Sequence, residues 1–281
     1  MTGRTVMNGQ PDESDGVADC IAVAQTSVGS VENVRTIVAG ETEAGLVQAD
    51  VASMAYTMTG QFKNQKETQK LRAIASLYPE KFHIVVRKDA QIRVMNDLRR
   101  KRISLDESGS GTLAVMRIIL SAYGLKEKQL QAVYLKPSFI KEKMISGDIQ
   151  GFVMMAGTPL KSVLDLSHVG LTLLSIPRET AQKINRDYPY LVPGTIDPGV
   201  YPGIDRTQTL QVYALLVVSI DLDTDLVHRL TQSLWSTRTQ EYLVKGHLRG
   251  ASIRLETALT GLSIPLHEGA ARFYREKGVL K

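Results

Sequence analysis

The stretch Arg102-Ile103-Ser104-Leu105-Asp106-Glu107-Ser108-Gly109-Ser110-Gly111-Thr112 decides the fold class, together with Leu113, Met116, Ile119, Leu120 and Tyr123 behind it. Arg102 to Leu105 reads as a strand. The apolar residues from Leu113 onward recur at helical spacing and stop at Gly124. A strand running through a Ser/Gly loop into a helix is the repeating unit of an α/β protein. Glycines let the backbone turn tightly and approach a ligand closely. Unpaired N–H groups at the helix start, with Ser108, Ser110 and Thr112 hydroxyls beside Gly111, can hold a carboxylate or phosphate. The loop lacks the Lys-Ser/Thr of a P-loop and the third glycine of a dinucleotide fingerprint. Two readings stand for the loop alone: an anion site, or a capped tight turn.

The same grammar repeats on both sides. Residues 1–18 are polar and read as a loop or frayed helix end. Cys20 to Gln25 alternates apolar residues and reads as a strand. Ser27-Val28-Gly29-Ser30-Val31-Glu32-Asn33 starts a helix carrying Val31, Val34, Ile37 and Val38. Ala44 to Val47 is a strand ending at Gln48-Ala49-Asp50, and a helix follows from Val51. Leu71 to Tyr78 reads as a strand broken by Pro79, and Phe82 to Arg87 as another. Ile92 to Leu98 is a short helix. Residues 131–135 and 151–155 are strands, with a helix over 139–146. The second strand ends at Ala156-Gly157-Thr158-Pro159. Helices over 160–166 and 179–185 flank a strand at 171–176. The segment 188–203, with four prolines, reads as an ordered connection. A strand over 210–220 and helices near 223–235, 238–246 and 268–277 close the chain. Strands alternating with helices imply a layered, mainly parallel α/β sheet. Ligands bind at the carboxyl ends of such strands. Ser30 with Asn33, Gln48 with Asp50, and Ser108 to Thr112 are then three polar starts that could line one cleft.

At 281 residues the chain is long enough for two domains. Apolar residues make up 43% and charged residues 22%, a balance that argues against disorder or coiled coil. The net charge is +5, and the one dense basic run, Leu98 to Arg102, reads as a solvated turn. Aromatics at 6% are sparse for base stacking, so no nucleic-acid partner is expected. A mildly positive field suits an anionic small ligand. The single Cys20 rules out an intramolecular disulfide and reads as packing. No stretch reaches the roughly 20 apolar residues of a membrane helix. His83, His168, His228, His247 and His267 show no metal-ligand spacing, and no G-x-S-x-G elbow occurs. His267 reads as a helix-start or packing residue, Trp235 as core, and Asp221, Asp223 and Asp225 as a solvated helix start. No catalytic residue, metal or cofactor is expected, which favours a binding protein over an enzyme.

Several motifs in order resemble one family. They are Gly29-Ser30-Val31-Glu32-Asn33, Gln48-Ala49-Asp50-Val51-Ala52, Leu77-Tyr78-Pro79-Glu80, His83 to Asp89, Ile103 to Thr112, Ile264-Pro265-Leu266-His267-Glu268-Gly269-Ala270 and Phe273 to Gly278. Together they resemble the TAXI family, the TRAP-associated extracytoplasmic immunogenic solute receptors, from about residue 19 onward. The resemblance implies a type II periplasmic-binding-protein-like α/β fold of two lobes, each a mixed sheet flanked by helices. Residues 1–88 plus 211–281 would form one lobe and 89–210 the other. It implies a periplasmic, monomeric receptor that captures glutamate or a related small carboxylate in a cleft between lobes. The receptor would pass that solute to the membrane subunits of a TRAP transporter. The implied ligand-binding residues are Ser30, Asn33, Gln48, Asp50, Ser108, Ser110, Gly111, Thr112, Gly157 and Thr158. The usual Gln-Ser-Asp of the family reads Gln48-Ala49-Asp50 here, and Ser108 stands where the family has Pro. The family's signal peptide, first strand and first aromatic ligand loop are expected to be missing. A cytosolic ligand-sensing module or a degenerate paralogue with the same fold is the alternative.

Overall fold

The computed structural model describes Val17, residues 20–27, 29–108 and 110–281, with only the backbone at Leu248. The reading of residues 1–18 as a loop lies outside the described residues, Val17 apart. The described chain divides into two compact units: the residues up to Pro79 with Tyr213–Lys281, and Glu80–Val212. Two long strands carry the chain across this division: β2 (Leu71–Arg87) at Pro79 and Glu80, and β8 (Thr207–Ser219) at Val212 and Tyr213.

In the first unit, helix α1 (Ser30–Val38) leads to β1 (Ala44–Gln48) and then directly to α2 (Ala49–Tyr56). β1 lies antiparallel to the second half of β8, with Ala44 opposite Val218 and Gln48 opposite Ala214. Helices α7 (Thr224–Leu234), α8 (Thr237–Gly246) and α9 (Glu268–Glu276) complete the unit. Ile74, Leu77, Val218, Val227, Leu234 and Phe273 form its core. Tyr274 is fully buried there, donates its hydroxyl to the Ile74 carbonyl at 3.0 Å and accepts from Trp235 Nε1 at 3.1 Å. Burial pushes the Tyr274 phenol well above its ordinary value. Asp223 caps α7 by accepting from the Leu226 N–H at 2.7 Å. Gly269 is required where α9 meets α7, because a Cβ would lie 2.3 Å from the Thr224 carbonyl oxygen.

In the second unit, β3 (Arg102–Ser104), β4 (Gln131–Val133) and β5 (Gly151–Ala156) are parallel, with β3 in the middle. The second half of β2 runs antiparallel to β5, from Lys81 opposite Ala156 to Val86 opposite Gly151. Strand β6 (Leu171–Leu173) also pairs antiparallel with β2, and β7 (Val192–Ile196) with the first half of β8. Gly151 faces the Val85 carbonyl oxygen, and a Cβ there would sit 2.5 Å from it. Helices α3 (Gly111–Ala122), α4 (Pro137–Ser146), α5 (Lys161–Asp165) and α6 (Arg178–Asp187) flank the strands. Val85, Ile140, Met144, Phe152, Leu171 and Ile196 form the core.

The α/β class and the mixed sheets flanked by helices are those expected from the family resemblance. The expectation of a mainly parallel sheet is corrected: among the described strands β3, β4 and β5 run parallel, and β1, β2, β6, β7 and β8 enter antiparallel pairs. Four other corrections concern single elements. Cys20 to Gln25 is not a strand; Ile21 and Val23 are 87% and 77% exposed, so the alternating apolar residues have no buried face to pack on. Pro79 does not break β2, because the β5 ladder begins at Lys81 and asks no donor of residue 79. The proline-rich connection contains β7, which tolerates Pro193 as a strand paired only with β8. The segment before Leu98 is a single 3-10 turn over Met95–Leu98.

Candidate functional site

The three parallel strands of the second unit present their carboxyl ends together, and each end feeds a loop that opens a helix. β3 leads into α3, β4 into α4 and β5 into α5. This is the setting in which α/β proteins place ligands. The most built of the three is the start of α3. Ser110 is its N-cap, and its Oγ accepts from the Leu113 N–H at 3.1 Å. Ser110 also donates its own N–H to the Glu107 carbonyl at 3.1 Å and accepts from the Ala114 N–H at 3.2 Å. These bonds close the turn. The N–H groups of Gly111 and Thr112 have no acceptor within the helix. Asp106 turns the chain with a φ of 72°, in the left-handed region.

Thr112 is buried, and its Oγ1 accepts from the Met155 N–H of β5 at 3.3 Å. That contact ties the α3 start to the strand carrying Gly157 and Thr158. Gly157 is buried and Thr158 half-buried, and the Thr158–Pro159 peptide is cis. The structure thus ties Thr112, in the first turn of α3, to β5 two residues ahead of Gly157. Ser108 is exposed in the turn above.

The remaining expected residues lie in the first unit. Ser30 Oγ accepts from the Gln48 N–H at 3.1 Å, and Asn33 Nδ2 donates to the Leu46 carbonyl at 2.8 Å. Both side chains clasp α1 to β1. Gln48 is the N-cap of α2, and Asp50 is buried in its first turn. Ser263 Oγ reaches the Ala49 carbonyl at 2.5 Å and holds the same turn from the C-terminal side of the chain.

Two side chains that hold the site escaped the sequence reading. Tyr201 accepts the Leu160 N–H at 2.7 Å and donates its hydroxyl to His83 Nε2 at 2.8 Å. His83 Nδ1 lies 2.8 Å from the Lys81 carbonyl, so it carries the proton and Nε2 accepts. The chain of bonds therefore runs from the loop after β5, through Tyr201, to a neutral imidazole on β2. Burial drives the His83 pKa down to about 4, against hydrogen bonds to backbone groups that raise it. The sequence signal was a histidine inside the apolar run Phe82 to Val86. In the first unit His267 caps α9 through Nδ1, which accepts from the Gly269 N–H at 3.2 Å. Among the described residues no cluster of His, Cys, Asp and Glu has a metal-holding arrangement, and no helix is long and apolar enough to cross a membrane.

Solved structures with a similar chain path include a periplasmic sulfonate-binding protein, SsuA, of a putative sulfonate ABC transporter from Methylobacillus flagellatus. It is 12% identical over 88% of this chain and 71% of its own, with a TM-score of 0.50. The periplasmic aliphatic sulphonate binding protein SsuA from Escherichia coli is 13% identical over 88% of this chain and 70% of its own, at 0.47. At such identities the first likeness speaks for the fold, that of two-lobed periplasmic binding proteins. A family model covers nearly the whole sequence, residues 13–278, and by that match the chain belongs to the NMT1-like family.

Proposed function

We propose that the chain is a solute-binding receptor of a transport system, working in the periplasm and delivering a small anionic solute to membrane transporter subunits. The observation that carries the reading is the α3 start. Its capped turn, two N–H groups without helical acceptors, and the Thr112 bond to β5 lie at the carboxyl ends of parallel strands. A carboxylate or sulfonate fits those donors, and the helix dipole favours its charge. Membership of the NMT1-like family supports the class. The motif order shared with the TAXI receptors favours glutamate or a related carboxylate, and a TRAP transporter as the partner. The sulfonate-binding neighbours make alkanesulfonates the competing ligand class.

Calorimetric titration with glutamate, short dicarboxylates and alkanesulfonates tests this. One class is expected to bind, and Ser110→Ala and Thr112→Val are each expected to weaken it by roughly 1–2 kcal/mol through loss of one hydrogen bond at a charged ligand's site. Unchanged affinity in both variants would reduce the loop to a cap. No heat from any ligand would remove the receptor reading.

A further inference from the structure

The second unit holds a cavity built from other residues. It has a volume of about 310 Å³ and is lined by Arg178, Pro193, Gly194, Thr195, Arg206, Gln208 and Thr209. That is the small end of the ligand-pocket range, room for a compact ligand rather than a peptide. Its walls are fixed by backbone. β7 and β8 pair with Gly194 opposite Thr209 and Thr195 opposite Gln208. The segment entering α6 is sewn onto Gln208: the Ile176 N–H reaches its carbonyl at 2.8 Å, Ser175 Oγ reaches the same carbonyl at 3.3 Å, and the Arg178 N–H reaches Oε1 at 3.0 Å. With Oε1 so occupied, the Gln208 side chain keeps its two N–H donors for another partner.

Cations outnumber carboxylates around it. Arg178 forms no ion pair among the described residues. Arg206 is ion-paired with Asp197 at 3.6 Å, with both side chains largely exposed, so the pair is solvated and weak enough for an anion to compete with it. A third cation, Lys81, is anchored on the carbonyl of Thr195 and is half-buried. Arg178 and Arg206 both line the cavity and both are solvent-exposed, and guanidinium matches oxyanions with paired N–H donors.

We propose that this cavity binds a small, doubly charged oxyanion of the phosphate or sulfate type, held between Arg178 and Arg206 with the Gln208 amide as an added donor. Thr209 lines the cavity but gives no proton to the anion, because its hydroxyl donates to the Phe82 carbonyl at 2.5 Å. The site shares no residue with the α3 start and does not depend on the receptor reading.

Inorganic phosphate is the probe, titrated at low ionic strength against a sodium chloride control of equal ionic strength. Phosphate is expected to bind the unaltered chain, and sulfate to compete. The double variant Arg178→Gln, Arg206→Gln is expected to bind phosphate at least about tenfold more weakly, with its circular dichroism unchanged. Ser110→Ala is expected to bind phosphate as the unaltered chain does. Retained phosphate binding in the double variant, or equal stabilisation by chloride, would overturn the inference. Loss of phosphate binding in Ser110→Ala instead would move the anion to the α3 start, overturning this site while leaving the receptor reading intact.

Discussion

Helices α1 and α3 both begin at a Gly/Ser segment, yet their hydroxyls do different work. At α3 the Ser110 hydroxyl caps the helix itself, and Thr112 reaches across to β5. At α1 the N-cap is Gly29, with a φ of 131° and no side-chain cap, and Ser30 and Asn33 turn to the backbone of β1. One start is closed by its own side chains, which leaves its first N–H groups for a ligand. The other spends its side chains on a strand. A serine before an apolar helix therefore announces a hydroxyl at the helix start without saying which backbone group it serves.

The largest expected effect tests how far the α3 side relies on the buried bonds beneath it. The His83 value of about 4 in the folded chain lies below the ordinary 6.5. The unfolded chain thus takes up a proton that the folded chain refuses. Stability is full above pH 6.5, falls as pH drops, and the loss is complete below about 4. The loss is worth roughly 3 kcal/mol at most. Urea unfolding measured across that window should show it, and His83→Gln should flatten it; an unchanged slope would mean the imidazole is not the titrating group.

Next comes Tyr201→Phe, which strands the Leu160 N–H and the His83 acceptor and should cost about 2 kcal/mol. Amide exchange should rise in residues 157–162 and stay unchanged in α1 and β1. Equal exchange in both regions would show that Tyr201 does not position the loop.

The smallest effects separate the two helix starts directly. Ser110→Ala should cost about 1 kcal/mol as a lost cap, and Ser30→Ala about 0.5–1 kcal/mol as a lost clasp. Only the first should also weaken solute binding. Equal weakening by both would mean that the two helix starts serve the solute alike.

The strand-loop-helix at 102–123 was legible because every signal lies within about twenty residues: a short apolar strand, glycines, and helical spacing ending at Gly124. Helix spans from apolar spacing agree with the structure to within a few residues at α3, α4, α7 and α9. Strand direction was less legible. The β3, β4 and β5 trio is parallel because helices connect its members. The antiparallel pairs arise from β2 and β8, whose partners no local pattern names. The support of the site was hidden for the same reason. His83 and Tyr201 lie 118 residues apart, and nothing around Tyr201 but prolines hints at its role.

The division of the chain carries a consequence for synthesis. Glu80–Val212 is one uninterrupted segment, so every partner it needs is present once Val212 has emerged. The other unit is stitched from both ends. Ala73 bridges to Leu266, Ser76 donates to the Ala258 and Thr260 carbonyls, and Tyr274 reaches Ile74. The first half of β2 must wait nearly two hundred residues for those contacts, a long loop to close and a slow one. On a ribosome the inserted unit is therefore the one that folds first, and the exposed apolar half of β2 is the stretch a chaperone would meet.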